Sequence, residues 1–224
     1  MIRKAPGENS GVNSESLAAL RSYTEELTKQ DLVNLASTVA REKPCWSGFG
    51  KFNSDSDLNE FLHTVGELGL ATLAEPKIPG ENYTPFPDEE ITDAMAEIYF
   101  FDPEVRDFSV VKEVIGLDEE DDDFHRAQGR MYGFPQNTID FYDGNEDTLP
   151  ANISASGEFS NLIRSKDEKL VEVMINYDIP GTEESVREAR DTARARYSAL
   201  EHFEHEYGVD FTSLVDDCYI KESS

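Results

Sequence analysis

The chain has 224 residues, with 47 acidic side chains against 20 basic ones and a formal net charge of −27. Hydrophobic residues make up 38% and charged residues 30%, so disorder is the first reading to set aside. Against it stand 13 Phe, 9 Tyr and several segments of regular apolar periodicity, which together give a folded protein with an acidic surface.

Two causes put such a surface on a folded chain. One is a functional acidic field that faces basic partners, which concentrates on one side. The other is life in concentrated salt, where the Debye length falls to about 3 Å and acidic self-repulsion is screened. Here acids occur in every segment and only the run Asp118–Asp123 stands out, which points to adaptation to the salt-loaded cytoplasm of a halophilic archaeon or its virus. Either cause disfavours nucleic acid as a partner, since phosphate contacts need local Lys and Arg. Cys45 and Cys218 are far apart and fit no metal-type spacing, so two free thiols in a reducing cytosol are expected. The start, MIRKAPGENSG, leads into no apolar segment, and no run reaches the length of a membrane helix. The expected location is the cytoplasm, with no membrane partner.

In chain order, residues 1–13 read as a flexible lead. A first helix follows Asn13 or Ser14, with Leu17, Leu20 and Leu27 inward. Thr28-Lys29-Gln30-Asp31 has the form of a capping box that opens a second helix, which Pro44 stops. CWSGFGKFNSDSD reads as a loop folded back on the core. A third helix runs from about Ser56 to Gly69, with Leu58, Phe61, Leu62, Val65 and Leu68 on one face. The Pro, Gly and Asn in LATLAEPKIPGENYTPFP mark short strand and loop and the best boundary in the chain. Pro87 and Asp88-Glu89-Glu90 then suit a helix start, with Ile91, Met95 and Ile98 at helical spacing.

FSVVKEVIGL fits a strand or a helix that Gly116 ends. The acidic run leads into a helix bearing Phe124, Ala127 and Met131, and Pro135 starts a shorter one through Ile139 and Phe141. Residues 145–165 read as loop and EKLVEVMINYDI as a buried strand or short helix. The strongest helix spans Thr182 to Tyr207, with a seam of Val186, Ala189, Ala193, Tyr197, Leu200, Glu204 and Tyr207. VDFTSLV trails off behind Gly208. The fold class expected is mainly α, with α+β as the alternative: a multi-helix domain with a few short strands. Its organisation is a lead (1–13), a helical N-terminal subdomain (14–80) and a mainly helical C-terminal domain (81–224).

Three groups of residues invite a functional reading. His202 and His205 lie one turn apart among Glu201, Glu204 and Glu206, a spacing that suits a divalent metal. No third ligand is evident, so a solvated acidic helix face is preferred and neither metal nor cofactor is expected. The three N-terminal helices followed by ATLAEPKI fit a winged helix-turn-helix, yet the recognition helix would be DLNEFLHTVGELG, without Arg or Lys. The third group is HRAQGRMYGFPQNTIDFYDG. Arg126 and Arg130 are four residues apart and share a helical face, where they pair with Asp121–Asp123 or clamp an anion. Gly129 and Gly133 permit close backbone approach, and Phe134-Pro135 makes a rigid turn.

The segment Gly129-Arg-Met-Tyr-Gly133-Phe134-Pro135-Gln-Asn137-Thr138-Ile139-Asp-Phe141 resembles the signature of an archaeal family of unknown function. That signature reads Gly-x-x-x-Gly-Tyr-Pro-x-Cys-Cys, then an aliphatic residue and an aromatic one. The family's later Pro-Cys-x-x-x-Cys falls on IPGTEES, and the two matches together cover about residues 122–207. Asn137, Thr138, Gly181 and Ser185 stand where the family has cysteines, and neither Cys45 nor Cys218 replaces them. The resemblance therefore implies a scaffold kept without a metal or redox site, in which hydrogen bonds from Asn137 and Thr138 clasp the turn before the last helix.

The preferred expectation is a non-catalytic binding module. Its surface is formed by His125, Arg126, Arg130, Tyr132 and Phe134, and its partner is a small anion or a protein. The alternatives are an enzyme with His125 as acid–base and the arginines on an anionic substrate, and a winged-helix transcription regulator.

Overall fold

A computed structural model describes residues 12–85, 91–117, 123–136, 138–139, 148–149, 170–171, 173–175, 179–180 and 183–218. The elements in chain order are α1 (Ser14–Leu20), α2 (Lys29–Val39), β1 (Cys45–Phe52), α3 (Asp55–Glu67), β2 (Ala71–Pro76), β3 (Ala94–Phe101), α4 (Phe108–Ile115), α5 (Phe124–Tyr132), β4 (Thr148–Leu149), β5 (Ile179–Pro180), α6 (Glu183–Tyr207) and α7 (Thr212–Cys218). The chain is mainly helical around a small antiparallel sheet of order β1–β3–β2, and β4 pairs with β5 separately.

The sheet separates two apolar layers. Strand residues alternate faces with a period of two. Ala94, Ala96, Ile98 and Phe100 of β3 join Phe52 in the larger core, where they meet α1, α2, α3, α6 and α7. Tyr99 and Phe101 turn the other way, with Cys45, onto Val111 and Val114 of α4 and Ala127, Met131 and Tyr132 of α5. Trp46 packs against both layers.

The N-terminal helices follow their caps. Asn13 accepts from the amides of Glu15 and Ser16, and Ser54 accepts from Asp57. At the start of α2 the Thr28 side chain accepts from the Asp31 amide and its hydroxyl donates to Asp31 Oδ2 at 2.6 Å, as the capping box requires. This helix ends well before Pro44. Arg41 adopts φ +63° and is held by Asp102 Oδ2 at 2.9 Å and Glu104 Oε2 at 2.8 Å.

Three segments differ from their sequence reading. CWSGFGKF is strand β1 and not loop; its glycines mark close approach rather than a turn. A methyl on Gly48 would stand 3.0 Å from the Asp31 carboxyl carbon, and one on Gly50 2.4 Å from the Phe52 ring. The helix expected through Ile91, Met95 and Ile98 is strand β3. Seven of its eight residues are buried, so helical spacing and strand alternation both find apolar residues there. The segment after Gly208 forms α7. The Asp210 side chain accepts from the Ser213 amide at 2.9 Å, and Leu214 and Val215 are buried.

FSVVKEVI is helix α4, and residues 170–171 and 173–175 of EKLVEVMINYDI are helical, with Val171, Val173, Met174 and Ile175 buried. Along α6 the expected seam holds at Val186, Ala189, Ala193 and Leu200; beyond it Phe203 is buried while Glu204 is exposed. A 3.5-residue repeat drifts off the face of a straight helix in this way. The division expected at residue 80/81 falls between β2 and β3, which are hydrogen-bonded neighbours.

Helix α5 ends in a Schellman arrangement: Gly133 N donates to Arg130 O at 3.2 Å and Phe134 N to Gly129 O at 2.9 Å. Gly133 has φ +74°, and a Cβ there would lie 2.6 Å from Pro44 Cγ. Left-handed strain and the clash add, so Gly133→Ala is expected to cost about 2–4 kcal/mol. Urea denaturation in molar KCl, followed by the fluorescence of the single Trp, measures it; a cost below about 1 kcal/mol would show that the α5 turn can yield.

Candidate functional site

Five residues of and beside α5 were expected to share a surface, and the structure divides them. Tyr132 turns inward: it is 7% exposed, its ring lies 5.0 Å from Trp46 and 5.7 Å from Phe134, and its hydroxyl shares a 2.6 Å hydrogen bond with Ser47 Oγ. Phe134 is half-buried and packs on both apolar layers. His125 meets the edge of Phe124 at 5.5 Å. Arg126 Nη1 lies 3.3 Å from Asp123 Oδ1, an exposed pair worth about 0.2–1 kcal/mol.

Arg130 is exposed and, among the described residues, makes no ion pair. Arg106, which follows β3, reaches the same turn, with its Nη2 3.3 Å from where a Gly133 side chain would begin. Its Nε is buried without a hydrogen-bond partner among the described residues. Arg106 and Arg130, neither with a carboxylate partner among the described residues, thus both border Gly133.

Beneath this turn lies a group of buried polar residues that the sequence reading did not mark. Lys43 is wholly buried. Its ammonium donates to Asn34 Oδ1 at 2.8 Å and stands 3.6 Å from the Trp46 ring centroid, a desolvated cation–π contact. The Trp46 indole N–H donates in turn to Asp31 Oδ1 at 3.1 Å. Burial holds the Lys43 ammonium well below its ordinary pKa, and Arg196 pushes the same way; Cys45 and Asp31 oppose them. Burial likewise raises the Asp31 carboxyl, against hydrogen bonds from Thr28 and Trp46. Arg196, 4% exposed on α6, donates to the Met174 carbonyl. The only surface signal of this group was a lysine and a tryptophan on either side of Pro44-Cys45.

The α4–α5 face of the sheet carries a second polar set. Glu75 and Glu97 stand directly opposite each other on β2 and β3, a like-charge pairing that destabilises a sheet. Lys77 bridges them at 3.2 and 3.0 Å, and Tyr99 donates to Glu97 Oε1 at 2.8 Å. Burial pushes the Cys45 thiol up to about 12, against Arg106 and Lys43. Burial also raises the Tyr99 hydroxyl, with Glu97 adding to it, and the Tyr132 hydroxyl, against its Ser47 hydrogen bond. Groups held in their neutral form are poor nucleophiles.

The remaining positions are quickly placed. Gly129 packs under the next turn, with a Cβ there 3.0 Å from Ile139 Cγ1, and the amides of Thr138 and Ile139 each donate to Pro135 O at 3.0 Å. Thr138 and Ser185 are buried at 1% and 5% exposure; Asn137 and Gly181 lie outside the described residues. His205 is exposed, with Nδ1 3.0 Å from Glu206 Oε1. No group of three or more His, Cys, Asp or Glu among the described residues is arranged to hold a metal. The helix-turn-helix reading needs α2 and α3 joined by a short turn, but the eight residues of β1 stand between them. Helix α3 presents Asp55, Asp57, Glu60 and Glu67.

Two measurements check these assignments. Both cysteines are free, Cys45 buried and Cys218 half-buried, so a thiol reagent at pH 8 should label Cys218 in the native protein and Cys45 only after unfolding. For Lys43 the depressed folded-state pKa makes the unfolded chain bind more protons between that value and the ordinary 10.5. Its contribution to stability is therefore present above 10.5 and lost as pH falls through the folded value. Stability of the native protein relative to Lys43→Met should rise with pH across that window, by up to about 1.4 kcal/mol per pH unit. Equal slopes in the two proteins would mean that Lys43 remains charged when folded.

No family model, curated protein or solved structure matches the chain.

Proposed function

We propose that this is a non-catalytic binding module of a salt-loaded cytoplasm, and that its contact surface is the turn after α5. The observation that carries this reading is the pair Arg106 and Arg130. In a chain with 47 acids and 20 bases, a cation finds a carboxylate by default, as Arg41, Arg126, Arg187 and Arg190 do. Two arginines at one turn without such a partner among the described residues are suited to an anion supplied from outside. Phe134 beside them offers an apolar edge. Tyr132 supports the turn from below rather than touching the ligand.

Binding is preferred to catalysis because the buried thiol and hydroxyls nearby are held neutral. The four acids of α3, with no Arg or Lys on that helix, leave a nucleic-acid role without support. No helix among the described residues is long and apolar enough to cross a membrane.

Inorganic phosphate in molar KCl is a direct probe, with Trp46 fluorescence as readout because the indole packs on Tyr132. A saturable response is expected. Arg106→Gln and Arg130→Gln should each weaken it about tenfold or more, the worth of one charge-assisted hydrogen bond. Arg126→Gln, already paired with Asp123, should leave it near the native value. No saturable response, or equal loss with Arg126→Gln, would sink the assignment to this turn.

A further inference from the structure

A groove runs along α6, and none of the α5-turn residues lines it among the described residues. Its floor and walls come from Val12, from the end of α2 (Ala40 and Glu42) and from one face of α6, and they enclose about 460 Å³. Positions 195, 199, 202 and 206 of α6 follow one another at helical spacing, so they form a stripe apart from the Val186–Leu200 seam that packs on the core. The small side chains of Ala195, Ser198 and Ala199 leave this stripe unfilled, and Phe203 and Tyr207 give it aromatic surface. The volume lies within the range of about 300–1,000 Å³ typical of small-molecule sites.

The charges around the groove have one sign. Glu42, just beyond α2, and Glu206 and His202 of α6 line it, and no Lys or Arg among the described residues does; Glu206 also meets exposed His205 at 3.0 Å. A second hollow of about 450 Å³ shares Glu42 and Ala195 and continues toward the start of α6, adding Glu184, Glu188 and Asp191. The one base lining it among the described residues, Arg187, is set against Glu184. We propose that the groove binds an organic ammonium: a cationic amine carried on an apolar, preferably aromatic, body. The apolar floor takes the body, and the ammonium meets the carboxylates and the Tyr207 ring face.

Molar salt sharpens this choice of ligand. With a Debye length of about 3 Å, carboxylates at a distance exert little pull, so selection must come from an ammonium in direct contact with Glu42 or Glu206. The apolar body supplies attraction that salt does not screen. An anion of the same shape meets two carboxylates and no cation, and a neutral analogue loses the contact pair.

The test uses the full chain in molar KCl at neutral pH, titrated with phenethylammonium, 2-phenylethanol and phenylacetate and followed by amide NMR shifts. Saturable shifts centred on residues 195–207 are expected with the ammonium, at least about tenfold weaker with the alcohol and absent with the carboxylate. Glu42→Gln should weaken the ammonium about three- to tenfold. Ser198→Phe, at an exposed position on the groove, should abolish binding without disturbing the core, which an unchanged amide spectrum elsewhere verifies. Arg130→Gln should have no effect, which separates this site from the α5 turn. No saturable shift, or an alcohol or carboxylate that binds as tightly as the ammonium, overturns the proposal.

Discussion

The Trp46 indole ties the two halves of the structure together. The ring meets the Lys43 ammonium and the Tyr132 ring, while its N–H is held by Asp31. Trp46 is packed on both apolar layers, so its position sets how α5 sits relative to α2. Each polar partner is fixed independently: Asp31 by the capping box at the start of α2, Lys43 by Asn34 on the next turns of that helix, and Tyr132 by Ser47 on β1. Removing one buried charge from such a group leaves another uncompensated, which is why these groups cost more to break than they add when whole.

Much of the helical frame was legible because its signals are local. The caps at Asn13 and Thr28 and the left-handed glycines at Gly69 and Gly208 lie where a cap or a stop was read, whereas the Ser54 cap and the left-handed stop at Gly133 were not read as such. The sheet was not legible, for a reason specific to each strand. In β1, Gly48 and Gly50 resemble a loop until Asp31 and Phe52 are known to occupy the space above them. In β3, burial on both faces erases the alternation that marks a strand. In this sheet β2 alone was expected as a strand, and it is one of the two edge strands, with a half-buried pattern.

The candidate site was legible only in its outline. Two arginines four apart on a helix before a Gly-Phe-Pro turn drew notice, but one of them pairs with Asp123. Arg106, which replaces it at Gly133, lies far away in sequence and belongs to no pattern. Long-range placement of this kind follows from the α4–α5 packing against the sheet, which no local motif encodes. The same holds for Lys43 and Arg196, whose burial depends on α6 closing over α2.

The basic residues show how an acidic protein of this kind divides its charge. Among the described residues most of its carboxylates are exposed or half-buried. Several of its cations serve as internal ties: Lys43 under Trp46, Arg196 on the Met174 carbonyl, Lys77 between two glutamates, Arg21 on the Asp210 carbonyl that precedes α7 and Arg41 on buried Asp102. Lys43 and Arg196 are themselves buried and contact their partners directly, so salt weakens those ties little. Against that usage, Arg106 and Arg130 stand out because neither has a carboxylate partner among the described residues, and the α6 groove stands out because no Lys or Arg among them lines it. One location is rich in arginine and the other in carboxylate, and both are places where a ligand of opposite sign would complete a pairing that the rest of the chain makes for itself.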